Sequence, residues 1–190
     1  MQHPCPDPRG RCRVSHFALR TATSADAEPI AALHAANWRS AYAGILAPSY
    51  LAGPVIEDRR AVWRERLTSP APDMEAVVAE KEHRIVGFVS LFHDREPAWG
   101  GFVDNLHTAA AVRGQGAGKA LLVEAARRTA ARDPAKGLYL WVFERNESAV
   151  GFYLALGATI AQRLVSDWDK APDEIRLRMH WPKAADLARR

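Results

Sequence analysis

Hydrophobic positions along this chain alternate between helical spacing and short apolar runs. Apolar residues three and four positions apart predict one helix that begins at Ser24 and a second helical stretch that begins at Pro48. The same spacing predicts helices from about Gly116 to Ala131 and from Ser148 to Leu156. Short apolar and alternating segments bounded by turn residues predict strands at 17–21, 74–80, 84–93, 102–108, 138–143, 158–165 and 174–181.

This order of elements predicts an α/β (α+β mixed) chain with one mixed sheet flanked by helices. A length of 190 residues with 48% hydrophobic residues suffices for one buried core, so one domain is expected, at 17–182. We expect residues 1–16 to form a mobile N-terminal tail and residues 183–190 to form a C-terminal tail.

Charge and cysteine content narrow the classes of partner. The chain has 26 Lys and Arg against 22 Asp and Glu, a net charge of +4. Between positions 57 and 66 arginines alternate with acidic residues, which is typical of a solvated helix with charge pairs rather than a nucleic-acid surface. No 18-residue apolar run and no secretory signal occur, so we expect a cytoplasmic protein with reduced thiols and no membrane or nucleic-acid partner.

A metal site is not expected in the N-terminal segment. His3, Cys5, Cys12 and His16 could be imagined as zinc ligands, but their spacing matches no common zinc finger. We therefore interpret this segment as the tail itself, with no metal.

The candidate chemistry starts where the strand ending at Thr108 is followed by a glycine-rich turn and a helix. This turn, Arg113–Lys119, has glycines at three alternate positions. The first turn of a helix has backbone N–H groups without partners, and glycine allows a phosphate to approach them closely. The arrangement therefore predicts binding of a phosphate-bearing cofactor.

The spacing of the turn excludes two common nucleotide loops. A Walker A loop would require glycine at Arg113 and a hydroxyl residue at Ala120. A Rossmann fingerprint would require a third glycine at Lys119 or Leu121. What remains is the pattern Arg-x-x-Gly-x-Gly.

This pattern resembles the pyrophosphate loop of the Gcn5-related N-acetyltransferase (GNAT) superfamily, which binds acetyl-coenzyme A. A second segment, from Asn146 through Tyr153 to Gly157, is similar to the later helix motif N-x-x-A-x-x-F-Y-x-x-x-G of that family. Both motifs occur in the family order, and the likeness covers roughly residues 17–181. It implies the GNAT fold, with a mixed, mostly antiparallel sheet of about seven strands flanked by about four helices.

The resemblance also implies which residues hold acetyl-CoA. Residues of the strand end would contact the pantetheine arm, the glycine turn would hold the pyrophosphate, and Asn146 would bond a pantetheine amide or simply cap its helix. Lys119 would add charge or point to solvent, and Arg113 would bind phosphate or bond nearby carbonyls. The cofactor-binding candidates are Leu106, His107, Thr108, Arg113, Gly114, Gln115, Gly116, Ala117, Gly118, Lys119 and Asn146.

By the same resemblance, Tyr153 is the candidate general acid for the departing thiolate, and its alternative role is aromatic packing beside Phe152. Many relatives carry a catalytic Glu at the position of Phe102. Asp104 is the candidate base, and its alternative role is to bond a neighbouring loop. In a regular strand Asp104 would share a face with Phe102, Leu106 and Thr108, and His107 would face the other way.

Acceptor recognition in the family comes mostly from the first two helices. Trp38 and Tyr42 lie one helical turn apart and are the candidate substrate-binding residues, with core packing as the alternative. The segment from Trp38 through Tyr50 is similar to a bacterial GNAT subgroup of unassigned substrate.

Three functions follow from the resemblance. The favoured function is acetyl transfer from acetyl-CoA to the amine of a small molecule or peptide. The alternatives are a CoA-binding module without catalysis, in keeping with Phe102, and a toxin-like acetyltransferase acting on aminoacyl-tRNA. A homodimer through the C-terminal strands is typical of the family.

Overall fold

The computed structural model describes residues 17–190. The expected N-terminal tail, with His3, Cys5, Cys12 and His16, lies outside the described residues.

A seven-stranded sheet forms the centre of the described chain, in the order β1-β2-β3-β4-β5-β7-β6. Neighbouring strands are antiparallel except for the parallel pair β4–β5. This mixed, mostly antiparallel sheet confirms the predicted fold class. The strands are β1 (Ala18–Thr21), β2 (Met74–Lys81), β3 (Arg84–Glu96), β4 (Gly100–Thr108), β5 (Leu138–Phe143), β6 (Thr159–Val165) and β7 (Ile175–Trp181).

Six α-helices, rather than about four, occur within residues 17–190. The second predicted helical stretch is divided at Pro54, because proline lacks the N–H group that a continuous helix would need there. The helices are α1 (Ala27–Ala41), α2 (Pro48–Ala52), α3 (Val55–Thr68), α4 (Ala117–Arg132), α5 (Glu147–Ala155) and α6 (Ala184–Ala188).

Each face of the sheet has its own core. On one face the apolar stripe of α4, including Leu121 and Leu122, packs against the sheet together with α5 and α6. On the other face α1 and α3 pack over β2 and β3 through Ile30, Trp63 and Phe88. Between residues 17 and 190, none of the helices has the length and apolar character that spanning a bilayer requires.

The C-terminal residues differ from the expected tail. Ala184 and Leu187 are buried in the same core as α4, at 0% and 1% exposure, and the Ala184 N–H donates to the carbonyl of Lys136 at 2.9 Å. A five-residue helix is too short to produce a clear periodic pattern in the sequence, so only its tertiary contacts reveal it.

We expect Leu187→Ala to lower the free energy of unfolding by about 2–5 kcal/mol, because it opens a cavity in this core. Urea denaturation measures the change. Leu154→Ala is the matched control, since Leu154 is 44% exposed and its truncation should cost less than about 0.5 kcal/mol. Equal effects of the two variants would show that α6 is not part of the cooperative core.

Candidate functional site

The sheet opens into a cleft between β4 and β5. These parallel strands pair only at Gly101–Leu138 and Phe102–Tyr139, and they diverge beyond that point. The cleft has a volume of about 1100 Å³ and is lined from α1, α3, β4, β5, α5 and the loop before α4. This volume is at the upper end of what small-ligand sites usually offer. A second hollow, of about 450 Å³ beside α2, contains none of the candidate residues.

The glycine turn forms one end of the cleft with its backbone donors free. Gly114 and Gly116 have φ of +75° and +94°, a left-handed conformation that side chains rarely adopt, and a Cβ at either position would point into open space. The first backbone bond of α4 runs from the Ala120 N–H to the Gly116 carbonyl. In and after this turn, five backbone N–H groups donate to no backbone acceptor of the described chain. They belong to Gly114, Gly116, Ala117, Gly118 and Lys119.

Gln115 does not join this group of donors. Its N–H donates to the Val112 carbonyl at 3.2 Å, and its side chain bonds Lys81 and the Ala111 carbonyl. It is also absent from the cleft lining, whereas Lys119 is exposed and lines it. The structure therefore separates Gln115 from the rest of the predicted turn.

Arg113 is held by α1. Its guanidinium donates to Asn37 Oδ1 at 3.0 Å, and Asn37 Nδ2 donates to the Thr108 carbonyl at 3.1 Å. Asn37 thus connects the glycine turn to the end of β4. Sequence analysis missed this residue, because an asparagine within an amphipathic helix carries no distinctive local pattern.

A β-bulge at Asp104 changes which residues of β4 share a face. Ser90 pairs with Asn105, but the next residue, Leu91, pairs with Val103, so Asp104 is an extra residue in its strand. The alternation of side chains is therefore interrupted at this point.

The interrupted alternation places Asp104 and His107 on the same face. Asp104 reaches Arg66 on α3, and the His107 ring contacts His34 on α1 at 4.5 Å between centroids. Leu106 instead packs into the core on the α4 face, and Thr108 lies near Gly118. The expectation that Asp104 shares a face with Leu106 and Thr108, opposite His107, was wrong because a regular strand was assumed.

Asp104 is hydrogen-bonded on one oxygen. Its Oδ2 accepts from Arg66 Nη1 at 2.6 Å and from the Asn105 amide. The Ser90 hydroxyl on β3 also donates to Oδ2, at 3.5 Å, so the partners lie on α3, on β3 and next to Asp104 in its own strand, rather than in a neighbouring loop. Oδ1 has no hydrogen-bond partner among residues 17–190, and Asp104 is one of the residues that line the cleft. Phe102, at the position of the family's Glu, stacks on Tyr139 with centroids 5.0 Å apart.

Tyr153 and Asn146 are both brought to the α5 side of the cleft. Burial raises the pKa of the Tyr153 phenol above its ordinary value, and the nearby Tyr42 adds to this, so the hydroxyl stays protonated at neutral pH. The hydroxyl bonds none of the described residues, while the ring packs against Trp181. Asn146 caps α5 through its Oδ1, which accepts from the Ala149 N–H at 3.4 Å, leaving its Nδ2 unbonded within the described chain.

Trp38 and Tyr42 form an aromatic wall at the other end. Their ring centroids lie 5.5 Å apart, and Trp38 also contacts Trp168 at 5.6 Å. Trp38 is largely buried and Tyr42 is partly exposed, so packing and cleft lining coexist. Burial, with the Asp104 charge, raises the pKa of Tyr42 to about 12.

The two histidines beneath this wall are neutral. His34 is fully buried, and its Nδ1 accepts from Trp63 Nε1 at 2.9 Å. Burial lowers the pKa of His34 well below its ordinary range, and burial beside Arg59 and Arg113 lowers the pKa of His107 to about 3. Both rings therefore serve as neutral packing groups near pH 7.

Helix α3 contributes two arginines that the sequence analysis missed. Arg60 bonds Glu28 and Glu57 on the outer face, as expected for a solvated helix. Arg59 and Arg66 instead line the cleft. Their spacing in the sequence indicates this position. Arg59 lies four residues before the buried Trp63 and Arg66 lies three residues after it, so both arginines share its inward face.

No cluster of three His, Cys, Asp or Glu suited to a metal ion occurs among residues 17–190. The site consists instead of a donor-rich turn, a divergent strand pair and a protonated phenol around one cleft.

Sequence comparison agrees with this geometry. The model of the acetyltransferase (GNAT) family matches residues 33–158, which contain both the glycine turn and the Asn146–Tyr153 helix. No protein of curated function matches the sequence.

Solved structures share the fold at low sequence identity. The PaiA N-acetyltransferase from Thermoplasma acidophilum, in complex with coenzyme A, is 20% identical, with a TM-score of 0.66 over 86% of this chain and 97% of its own. Apo YjaB from Escherichia coli is 24% identical, with a TM-score of 0.62 over 87% and 97%. Mutant forms of the spermidine/spermine N-acetyltransferase SpeG from Vibrio cholerae are 16% identical, with a TM-score of 0.66 over 93% and 98%.

With the family model matching about two thirds of the chain, including both motifs of the cleft, this chain belongs to the acetyltransferase (GNAT) family and is an acetyl-CoA-dependent acyltransferase.

Proposed function

We propose that this protein transfers the acetyl group of acetyl-CoA directly to the primary amine of a small molecule or peptide. The observation that carries the proposal is that one cleft holds the free backbone donors of the glycine turn and the unbonded, protonated Tyr153 hydroxyl. The fold that this chain shares with the coenzyme A complex of PaiA and with the spermidine/spermine N-acetyltransferase SpeG supports acetyl transfer to an amine as the class of reaction.

The residues at the turn fit the diphosphate of coenzyme A. Five backbone N–H groups without backbone acceptors, at the positive end of the α4 dipole, can donate to phosphate oxygens. Lys119 adds an exposed positive charge on the cleft wall. Open space above Gly114 and Gly116 leaves room for the phosphate groups.

The residues between the two ends fit the thioester arm. Beyond Phe102 the β4 edge no longer pairs with β5, so the segment Leu106–Thr108 borders the cleft. Asn146, whose Nδ2 is unbonded within the described chain, lines the same cleft at the start of α5. A pantetheine amide has the donors and acceptors that both groups require.

Bound acetyl-CoA supplies an activated acetyl group. The acetyl carbonyl carbon bonds to the amine nitrogen as the C–S bond of the thioester breaks. The amine loses one proton, and the departing thiolate gains one. Tyr153 holds the proton that the thiolate takes. We assign to Asp104 the role of accepting the amine proton, directly or through water, and its unbonded Oδ1 supports this, since Arg66 and Asn105 bond Oδ2. No carboxylate is available at Phe102, so Asp104 is the proposed proton acceptor.

The proposed assembly is a homodimer formed through the C-terminal strands. β6 is an edge strand that exposes apolar side chains, with Ile160 at 49%, Leu164 at 45% and Val165 at 60%. Such an edge favours pairing with another copy.

The proposal is tested by incubating the protein with acetyl-CoA and a panel of amines while free thiol is measured. Release of thiol that depends on an amine is expected. Binding of coenzyme A without thiol release on any amine would instead identify a CoA-binding module.

Replacing Gly118 by valine should weaken coenzyme A binding by about tenfold or more while the fold survives. A Cβ at Gly118 meets Phe152 at 3.5 Å and Thr108 at 3.8 Å, which are ordinary contacts, so the free protein accommodates it. The larger side chain would narrow the approach to the turn between those two residues. Calorimetric titration with coenzyme A measures the affinity.

Gly151→Val is the matched control, because Gly151 also lies in a helix and a Cβ there meets nothing within 4 Å. It should leave the affinity unchanged. An equal affinity in both variants would contradict the placement of the diphosphate at the turn.

Tyr153→Phe should lower kcat by about 10- to 100-fold with little change in coenzyme A affinity, because only the proton donor is removed. Tyr139→Phe is the control, since the Tyr139 hydroxyl bonds Glu96 at 3.2 Å and lies outside the cleft lining. Steady-state kinetics measures both. An undiminished rate in the first variant would remove Tyr153 from the mechanism.

Asp104→Asn should lower kcat by about tenfold or more, because an amide cannot take the amine proton. Asp94→Asn, at an exposed position 3.7 Å from Lys136, is the control and should retain the native rate. Thermal melts show whether loss of the Arg66 ion pair affects the fold. A native rate for Asp104→Asn would mean that the amine loses its proton to another group.

A further inference from the structure

Arg59 lies in the wall of the cleft, and its guanidinium has no ion-pair partner among residues 17–190. It lines the cleft from α3 and lies over the Trp38 ring, 4.4 Å from the centroid. Its Nε is buried and donates to nothing among residues 17–190. Its polar neighbour is the phenol of Tyr50.

The carboxylates nearest to Arg59 in the chain and in the cleft have other partners. Asp58 accepts from Tyr50 at 2.6 Å and lies 3.6 Å from Lys170. Asp104 is paired with Arg66. Asp58 is close enough for the Arg59 charge to contribute to its lowered pKa, after Tyr50 and Lys170. No carboxylate of residues 17–190 forms an ion pair with Arg59, so the guanidinium lacks a direct acidic partner within the described chain.

The charge of Arg59 affects the pKa of two histidines near the cleft. It contributes, after burial, to the lowered pKa of His34 and His107. A partly buried guanidinium with an unsatisfied N–H is unfavourable by itself, because it has lost water without gaining an acceptor. Binding an anion would supply that acceptor, and the planar guanidinium suits a carboxylate through two parallel hydrogen bonds.

We infer that Arg59 binds a carboxylate of the acceptor, so that the substrate of the proposed acetyl transfer is a small amine that also carries a carboxylate, such as an amino acid. This inference rests on the proposed function. Trp38 holds the guanidinium by stacking and limits its movement.

The same wall connects the proposed anion site to the reacting end. Trp38 contacts Tyr42, whose phenol is close enough to Asp104 and Tyr153 to affect, or be affected by, their charge. A compact molecule can therefore place its carboxylate at Arg59 and its amine near Asp104.

The charges at this end disfavour a polyamine. Arg59, Arg66 and Arg176 line the cleft, and two of these arginines have acidic partners, since Arg66 is paired with Asp104 and Arg176 with Asp167. A polycation would therefore meet the unpaired charge of Arg59, which repels it. The likeness to a spermidine/spermine acetyltransferase concerns the fold, since the identity is 16%.

The experiment compares acceptors that differ only in the carboxylate: lysine with cadaverine, phenylalanine with phenethylamine, and methionine with 3-methylthiopropylamine. Amine-dependent thiol release gives kcat/KM for each. The native protein should prefer the acid in a reactive pair by about 10- to 100-fold, and Arg59→Gln should abolish that preference by raising KM for the acid.

Two variants control for indirect effects. Arg59→Lys retains the charge without the planar fork, so it should retain part of the preference. Arg64→Gln removes an exposed arginine of the same helix and should behave as the native protein. Thermal stability and coenzyme A affinity should remain native in Arg59→Gln, which separates loss of the anion site from loss of the fold.

The outcomes distinguish the two proposals. If none of the amines tested causes thiol release, the proposed function is overturned. Transfer that is as fast with the decarboxylated amines, faster with spermidine, or restricted to aminoacyl-tRNA would overturn the carboxylate site alone. A preference unchanged in Arg59→Gln would assign it to another residue.

Discussion

The site depends on the short length of one strand pairing. β4 and β5 are joined at two residue pairs only, and beyond Phe102 the β4 edge has no strand beside it. Backbone groups at such an edge must find water or a ligand, because buried unpaired groups are costly. The divergence therefore creates both the cavity and a row of donors and acceptors along it. The glycine turn extends this row, since β4 is followed by a short 3₁₀ helix (Ala110–Val112) and then by this turn and the free first turn of α4.

The bulge at Asp104 sets which side chains of this edge lie on each face of the sheet. After the bulge, the strand places Leu106 toward the α4 core and His107 toward α1. The extra residue directs the Asp104 carboxylate to Arg66 on α3. Burial lowers the pKa of His107, so this ring is neutral near pH 7 and the charged side chain that the strand places on the α1–α3 face is Asp104. A single irregularity in one strand thus sets the position of that charge.

Local patterns predicted the sheet, the main helices and the glycine turn, because periodicity and the glycine requirement of a left-handed turn are properties of neighbouring residues. The remaining features depend on contacts between distant parts of the chain. Asn37 bonds Arg113 and Thr108, which lie more than 70 positions away, and no pattern among its neighbours in the sequence predicts these hydrogen bonds. The face of Asp104 required a bulge, and α6 is too short for a periodic signal. Arg59 was visible in principle as an inward position, but the interleaved acids around it suggested a solvated face.

The contrast among the arginines of α3 is the strongest physical argument that Arg59 serves a ligand. Arg60 on the outer face has two carboxylate partners at 2.6–2.8 Å, and Arg66 on the inner face has one. Only Arg59 combines a place in the cleft, a buried unbonded Nε and no ion pair within the described chain. Packing against Trp38 does not require a charge. A neutral side chain of similar length would fill the same space without the penalty of desolvating a guanidinium. A charge that packing does not require, in the wall of the same cleft as Asp104, is what the proposed binding of an acceptor carboxylate would explain.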